Sequence, residues 1–204
     1  MLSFFLNRIS SNPGIFLLFR KIIHFGFRAE GKVIRKFVTK LLPGSKVLQI
    51  ACESGYFSIF IKEFYYFGID TRKKNIAYAH QHFEGNFLVM DAMSIEFPPG
   101  SFDAIIISGV FHNIDDITTL QVLREAKRVL KNRGRVLILE DYFETGPLNL
   151  VDRLDRYFDP PEVIRTYTQY LEIFNHHFCM QYNGTIFSGP RKIMVFQTSG
   201  SICF

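Results

Sequence analysis

The sequence has no tryptophan, only three cysteines and no apolar run of 18 residues. Without such a run a membrane-spanning helix is not expected. Cys52, Cys179 and Cys203 are odd in number, and no two form a Cys-x-x-Cys pair. Neither a disulfide framework nor a zinc site is expected from them, and a reducing cytoplasm is the compartment that fits. A clean signal peptide is missing too: Arg8, Asn12, Pro13, Arg20 and Lys21 interrupt the apolar N-terminal stretches, and no small-residue cleavage site follows. There is no G-x-G-x-x-G loop of the kind that sets a pyrophosphate on a helix N-terminus. Acid is scarce at the start of the chain, where Glu30 stands alone among nine basic side chains in residues 1–46.

What is present is a core. The chain has 204 residues, 48% of them hydrophobic, with 23 phenylalanines. That is enough for one well-filled domain and too apolar for disorder. The net charge of +5 is the difference between +8 in residues 1–46 and −3 in the remainder. The basic character therefore belongs to an N-terminal extension. The body has no aromatic–basic stripe and no separate nucleic-acid module, so nucleic acid is not an expected partner. His80 with His82, and His176 with His177, lack carboxylate or cysteine partners at ligand spacing, and no metal is expected. Arg72-Lys73-Lys74 has no glycine-rich loop beside it and reads as solvated charge rather than a phosphate cradle.

Hydrophobic periodicity divides the chain at residue 43. Residues 1–43 read as a helical extension, with helical spacing of apolar residues over Ile15 to Phe25 and again over Val33 to Leu42. Pro43-Gly44 stops the second helix. From 44 to 204, strands alternate with helices. Strands are expected at Val47–Ile50, Tyr66–Ile69, Phe87–Met90, Phe102–Ser108 and Val136–Leu139. Helices are expected at Tyr56–Phe64, Lys74–His82 and Thr118–Lys131, the last closing on Gly134. Short, continuously apolar strands separated by helices imply an α/β fold, a doubly wound parallel sheet covered on both faces. In such sheets the ligand crevice lies beyond the carboxyl ends of the strands. The positions to inspect are therefore Ala51 to Gly55, Asp70-Thr71, Asp91-Ala92, Ser108 to His112, and Glu140 to Tyr142.

Val47-Leu48-Gln49-Ile50-Ala51-Cys52-Glu53-Ser54-Gly55 resembles the first motif of class I S-adenosylmethionine-dependent methyltransferases. Gly68-Ile69-Asp70 is similar to their second motif and Asp91-Ala92 to their adenine-edge motif. Ser101 through His112, and Arg124 through Leu137, are similar to the fourth strand, the helix that follows it and the fifth strand. The likeness covers about residues 44–140, with Asp70 and Asp91 each 21 residues beyond the preceding marker. It implies a Rossmann-like sheet of seven strands, mostly parallel, with Met180–Phe187 and Lys192–Thr198 as a terminal hairpin. It implies S-adenosylmethionine as cofactor, with S-adenosylhomocysteine as product. The cofactor would meet Ala51, Cys52, Glu53 and Gly55 in the loop, Asp70 and Thr71 at the ribose, Asp91 and Ala92 at the adenine, and Ser108 after the fourth strand. His112 stands where the family's acceptor and methyl group meet, and is the candidate general base. The acceptor implied is a small or lipid-like molecule, since the loop after the fourth strand has no Asn-Pro-Pro-Tyr-like motif.

Several positions keep two readings. The family usually has an acid at Gln49 and glycine at Ala51 and Glu53, so a non-catalytic domain that kept the fold is the alternative to an enzyme. Glu53 is either a solvated side chain, an obstruction to the cofactor's carboxylate or a substitute for the missing acid. Asp70 is also a suitable helix N-cap, Asp91 a turn acid, His112 a packed loop residue and Cys52 a small buried one. The N-terminal segment is a helical cap over the pocket, or one that also rests weakly on an anionic membrane through Phe4 to Phe27.

Overall fold

The computed structural model describes residues 12–141 and 161–198. Helix α1 (Pro13–Ile23) starts where the Asn12 side chain accepts from the backbone of Gly14 and Ile15, with proline in the first turn. A single 3₁₀ turn, Phe25–Phe27, leads into α2 (Arg28–Val38). Three successive residues of that turn have positive φ: Phe25 at 46°, Gly26 at 74° and Phe27 at 56°. This backbone is costly outside glycine, and it folds α2 back from α1.

Then come β1 (Lys46–Ile50), β2 (Tyr65–Asp70), α3 (Lys73–His82), β3 (Asn86–Val89), β4 (Phe102–Ser108), α4 (Asp116–Val129), β5 (Leu130–Asp141), α5 (Tyr167–Asn175), β6 (Met180–Ser188) and β7 (Arg191–Thr198). The seven strands form one sheet in the order β3-β2-β1-β4-β5-β7-β6. β1 to β5 are parallel to one another, and β7 runs antiparallel to both β5 and β6. The strand order reverses between β1 and β4, so the crevice opens at their carboxyl ends. One face of the sheet packs Leu48, Ile105, Val136 and Phe196 against α4 and α5; the other packs Val47, Ile106, Leu137 and Val195 with α2 and α3.

Two expectations need correction. The helix expected over Tyr56–Phe64 is a short 3₁₀ segment, Tyr56–Phe60. Its run of aromatic and β-branched residues has little helix propensity, and Tyr56, Phe57 and Phe60 pack as one ring cluster instead. Gly134 does not cap α4: the helix ends at Val129 and β5 begins at once at Leu130. The β4–β5 register shifts between Phe102↔Leu130 and Ala104↔Arg135, so Gly134 lies in a strand irregularity where a Cβ would stand 2.5 Å from Leu130. Cysteine also departs from expectation, because Cys52 is a free buried thiol whereas Cys179 is disulfide-bonded. An odd count excludes complete pairing, not one bridge. Cys203, Tyr142 and Phe4 lie outside the described residues. No helix among the described residues is long and apolar enough to cross a membrane.

Candidate active site

The loop after β1 turns sharply. Ala51 has φ 54°, Glu53 46° and Gly55 79°. All three are left-handed, the conformation that glycine adopts without penalty. The substitutions at 51 and 53 therefore leave the shape of a glycine loop intact. Gly55 is required twice over, since a Cβ there would stand 2.6 Å from Phe87 and 2.8 Å from Ala79.

Asp70, at the end of β2, ties this loop to α3. One carboxylate oxygen accepts from the Glu53 amide at 3.0 Å; the other accepts from the Arg72 amide at 2.8 Å and the Asn75 side chain at 3.3 Å. Oδ1 already accepts two bonds, whereas Oδ2, which accepts one, keeps acceptor capacity for another donor. Gln49, where the family pattern has an acid, is buried and accepts from the Tyr66 hydroxyl at 2.7 Å. That bond holds the amide through its oxygen, and the residue lines the cavity.

The cavity measures about 40 Å³ and is walled by Gln49, Ala51, Cys52, Glu53 and Ser108 on the sheet side. Across from them stand Leu17 and Arg20 of α1, with Phe27 beside them. Four of the sequence-derived candidates, Ala51, Cys52, Glu53 and Ser108, thus meet in one place, and Asp70 is bonded to the backbone of one of them. Gly55 follows in the same loop without lining the cavity. Thr71 and Asp91 are exposed and Ala92 half-buried beyond β2 and β3; the Asp91 carboxylate accepts from the Met93 amide at 2.8 Å. The Cys52 thiol is pushed far up by burial and by the nearby Asp70 and Glu53 charges, which removes it as a nucleophile.

His112 lies behind the cavity in the 3₁₀ turn Phe111–Asn113 and is almost wholly buried. Its Nδ1 is 2.5 Å from Glu140 Oε1, and its Nε2 is 3.0 Å from the Asn113 amide nitrogen. Donation from Asn113 makes Nε2 the basic nitrogen and leaves the proton on Nδ1. Glu140 Oε2 accepts from the Val110 and Phe111 amides at 3.2 and 2.8 Å. Arg165 clamps the same loop, donating to the Phe111 carbonyl at 2.5 Å and the Ile114 carbonyl at 2.9 Å while pairing with Asp116. Next along β5, burial alone would raise the Asp141 carboxyl. The Arg191 guanidinium, 2.7 Å away, together with nearby His112, Arg20 and His24, holds it well below the usual carboxylate range.

Sequence reasoning marked the end of β5 but gave Glu140 no role. The available signal was an acid at the end of a central strand and a histidine in the loop after its neighbour. Arg20 carried no signal, because only the folded cap brings it to the cavity.

Residues 48–138 match the family described as methyltransferase domain. Those residues carry a methyltransferase domain. Its relatives include a demethylmenaquinone methyltransferase of Thermotoga maritima, 33% identical over 129 residues, a match covering 60% of this chain and 55% of that protein. The chain spans about half the length of the curated relatives it matches. Among solved structures, YcgJ from Bacillus subtilis superposes with a TM-score of 0.65 at 16% identity, covering 82% of this chain and 96% of that one. Phosphoethanolamine N-methyltransferase 2 of Haemonchus contortus gives 0.73 at 17% identity, covering 95% of this chain and 58% of that one. At these identities the solved structures speak for the methyltransferase fold.

Proposed function

We propose that this methyltransferase domain transfers the methyl group of S-adenosylmethionine to a small, lipid-like acceptor of quinone type. The observation that carries the reading is the convergence of Gln49, the Ala51–Gly55 loop and Ser108 on one cavity, with Asp70 fixed at its edge. The donor set fits the cofactor. The Gln49 amide, the Ser108 hydroxyl and Arg20 suit a methionine carboxylate, and Asp70 is an acceptor for ribose hydroxyls. Asp91 and Ala92 are assigned to the adenine and Thr71 to the ribose side. The space fits only after a movement, because small-molecule sites span roughly 300–1,000 Å³ and this cavity is near 40 Å³. Residues 1–43 are accordingly assigned as a cap whose helix α1 swings away to admit the cofactor and returns to exclude water.

When bound, the cofactor supplies an already activated methyl group. The chain has to align the acceptor with it and keep water out. For an acceptor that must lose a proton, His112 is the assigned base: Nε2 takes the proton once Asn113 turns away from it, while Glu140 holds the ring through Nδ1. The quinone assignment is supported by relatives named as demethylmenaquinone and ubiquinone/menaquinone C-methyltransferases.

Calorimetric titration with S-adenosylhomocysteine, followed by methyl-transfer assays with a reduced naphthoquinone, tests the two parts separately. Absence of binding would overturn the cofactor assignment. Binding without transfer to any quinol would overturn the acceptor.

A further inference from the structure

Helix α1 has two apolar faces, and only one of them is used by the fold. Leu17 and Ile23 are buried, and Leu17 and Arg20 line the cavity. On the opposite side Ile15, Leu18, Ile22 and Phe25 are 46%, 60%, 66% and 68% exposed. The spacings of three and four residues place Ile15, Leu18 and Ile22 in a single stripe along the helix, and Phe25 follows in the turn beyond its end. At its far end the β6–β7 turn abuts the helix, Gly189 lying against the Ile23 carbonyl. Phe187, 66% exposed, and Lys192 flank that turn. Soluble proteins rarely leave a contiguous stripe of large apolar side chains in water without a partner for it.

The exposed charge on the segment that carries the stripe, residues 12–46, has one sign. Arg28, Lys32, Arg35, Lys36, Lys40 and Lys46 are exposed, while Arg20 faces the cavity and Lys21 lies over the Tyr56 ring. The one acid between residues 12 and 46, Glu30, is buried against His24 and Ser188 and adds nothing to the surface. Lys74 of α3 lines the groove beside Pro13 and Ile15.

We propose that the outer face of α1 docks on an anionic lipid bilayer. The apolar stripe enters the headgroup–acyl boundary, and the surrounding cations meet the lipid phosphates. The apolar stripe alone would suit a protein partner or a second copy equally well. The excess of exposed cations on this segment, with Lys74 beside Ile15, is what selects an anionic surface. Docking would put the inner face of the same helix, and the cavity it walls, at the level where lipid-like molecules lie.

The test is co-sedimentation of the whole protein with vesicles. Phosphatidylcholine containing phosphatidylglycerol is compared with phosphatidylcholine alone, at low and high salt. Binding is expected to anionic vesicles only and to fall with salt. Leu18→Ser with Ile22→Ser, which leaves the charge unchanged, should lower the bound fraction by about tenfold. Lys32→Gln with Lys36→Gln should also weaken binding while leaving the stripe intact. Circular dichroism and S-adenosylhomocysteine titration should be unchanged in both pairs. Equal binding to both vesicle types, no binding at low salt, or full binding by the serine pair would overturn the proposal. A wild-type dimer that binds no vesicles, with a monomeric serine pair, would assign the stripe to a second copy instead.

Discussion

His112 donates from Nδ1 to Glu140 across 2.5 Å, and Glu140 accepts from the backbone amides of Val110 and Phe111 in the very loop that carries the histidine. Glu140 lies at the end of β5 and His112 in the turn that follows the neighbouring parallel strand β4, so the sheet brings the two together. Glutamine at 140 keeps the shape but replaces one acceptor oxygen with an NH2 donor, which must face either His112 Nδ1–H or the Val110 and Phe111 amides, so the hold on the imidazole tautomer is lost. Glu140→Gln is therefore expected to lower kcat/KM by about 10²-fold and to displace its pH profile, with little change in S-adenosylhomocysteine affinity. An unaltered pH profile would make the pair purely structural.

Asp70→Asn separates ligand binding from loop support. Asparagine can still accept from the Arg72 amide, but the charge offered to a ribose is gone. Affinity for S-adenosylhomocysteine should fall by roughly 1.5–3 kcal/mol, read by calorimetry. Equal affinity would remove Asp70 from the cofactor site.

Ala51→Gly and Glu53→Gly should each stabilise the fold. A left-handed backbone costs a non-glycine residue roughly 1–2 kcal/mol, and glycine returns about 0.4–1 kcal/mol through the freer unfolded chain. A gain of up to about 1 kcal/mol is expected in urea unfolding. A loss at either position would mean that its side chain contributes more than its backbone costs.

The Asp141–Arg191 pair gives an acid limit. Because the folded carboxyl is held low, its contribution is complete above its unfolded pKa of about 3.9 and is lost as pH falls further toward the folded value. Wild-type urea midpoints should therefore drop below about pH 4. Asp141→Asn leaves Arg191 buried without its charge partner, so it should cost about 3–5 kcal/mol at pH 7 and flatten that part of the pH dependence.

Much of the fold was legible because the five parallel strands are short apolar runs, each ending at a chemically distinctive residue. The cofactor-side candidates were legible for the same reason: Asp70 and Ser108 close strands, and the Ala51–Gly55 loop follows one directly. What was hidden depends on contacts remote in sequence. Tyr56–Phe60 looked helical by spacing, but ring packing among Tyr56, Phe57 and Phe60 decided its form. Glu140 gained a role only through His112, and Arg20 only through the turn at Phe25–Phe27. The left-handed φ of Ala51 and Glu53 could not be read from side chains that ordinarily avoid it.

His24 Nδ1 meets the Ser188 hydroxyl at 2.8 Å across 164 residues of chain. Bringing such distant segments together carries a loop-closure cost that local pairing does not. The parallel strands β1 to β5 are all made before Ser188 emerges from the ribosome, so during synthesis the sheet can assemble while α1 has no hairpin to rest on. The cap would then be the last part to settle, and a ribosome stalled before β6 would present the loop after β1 with its cover unlatched.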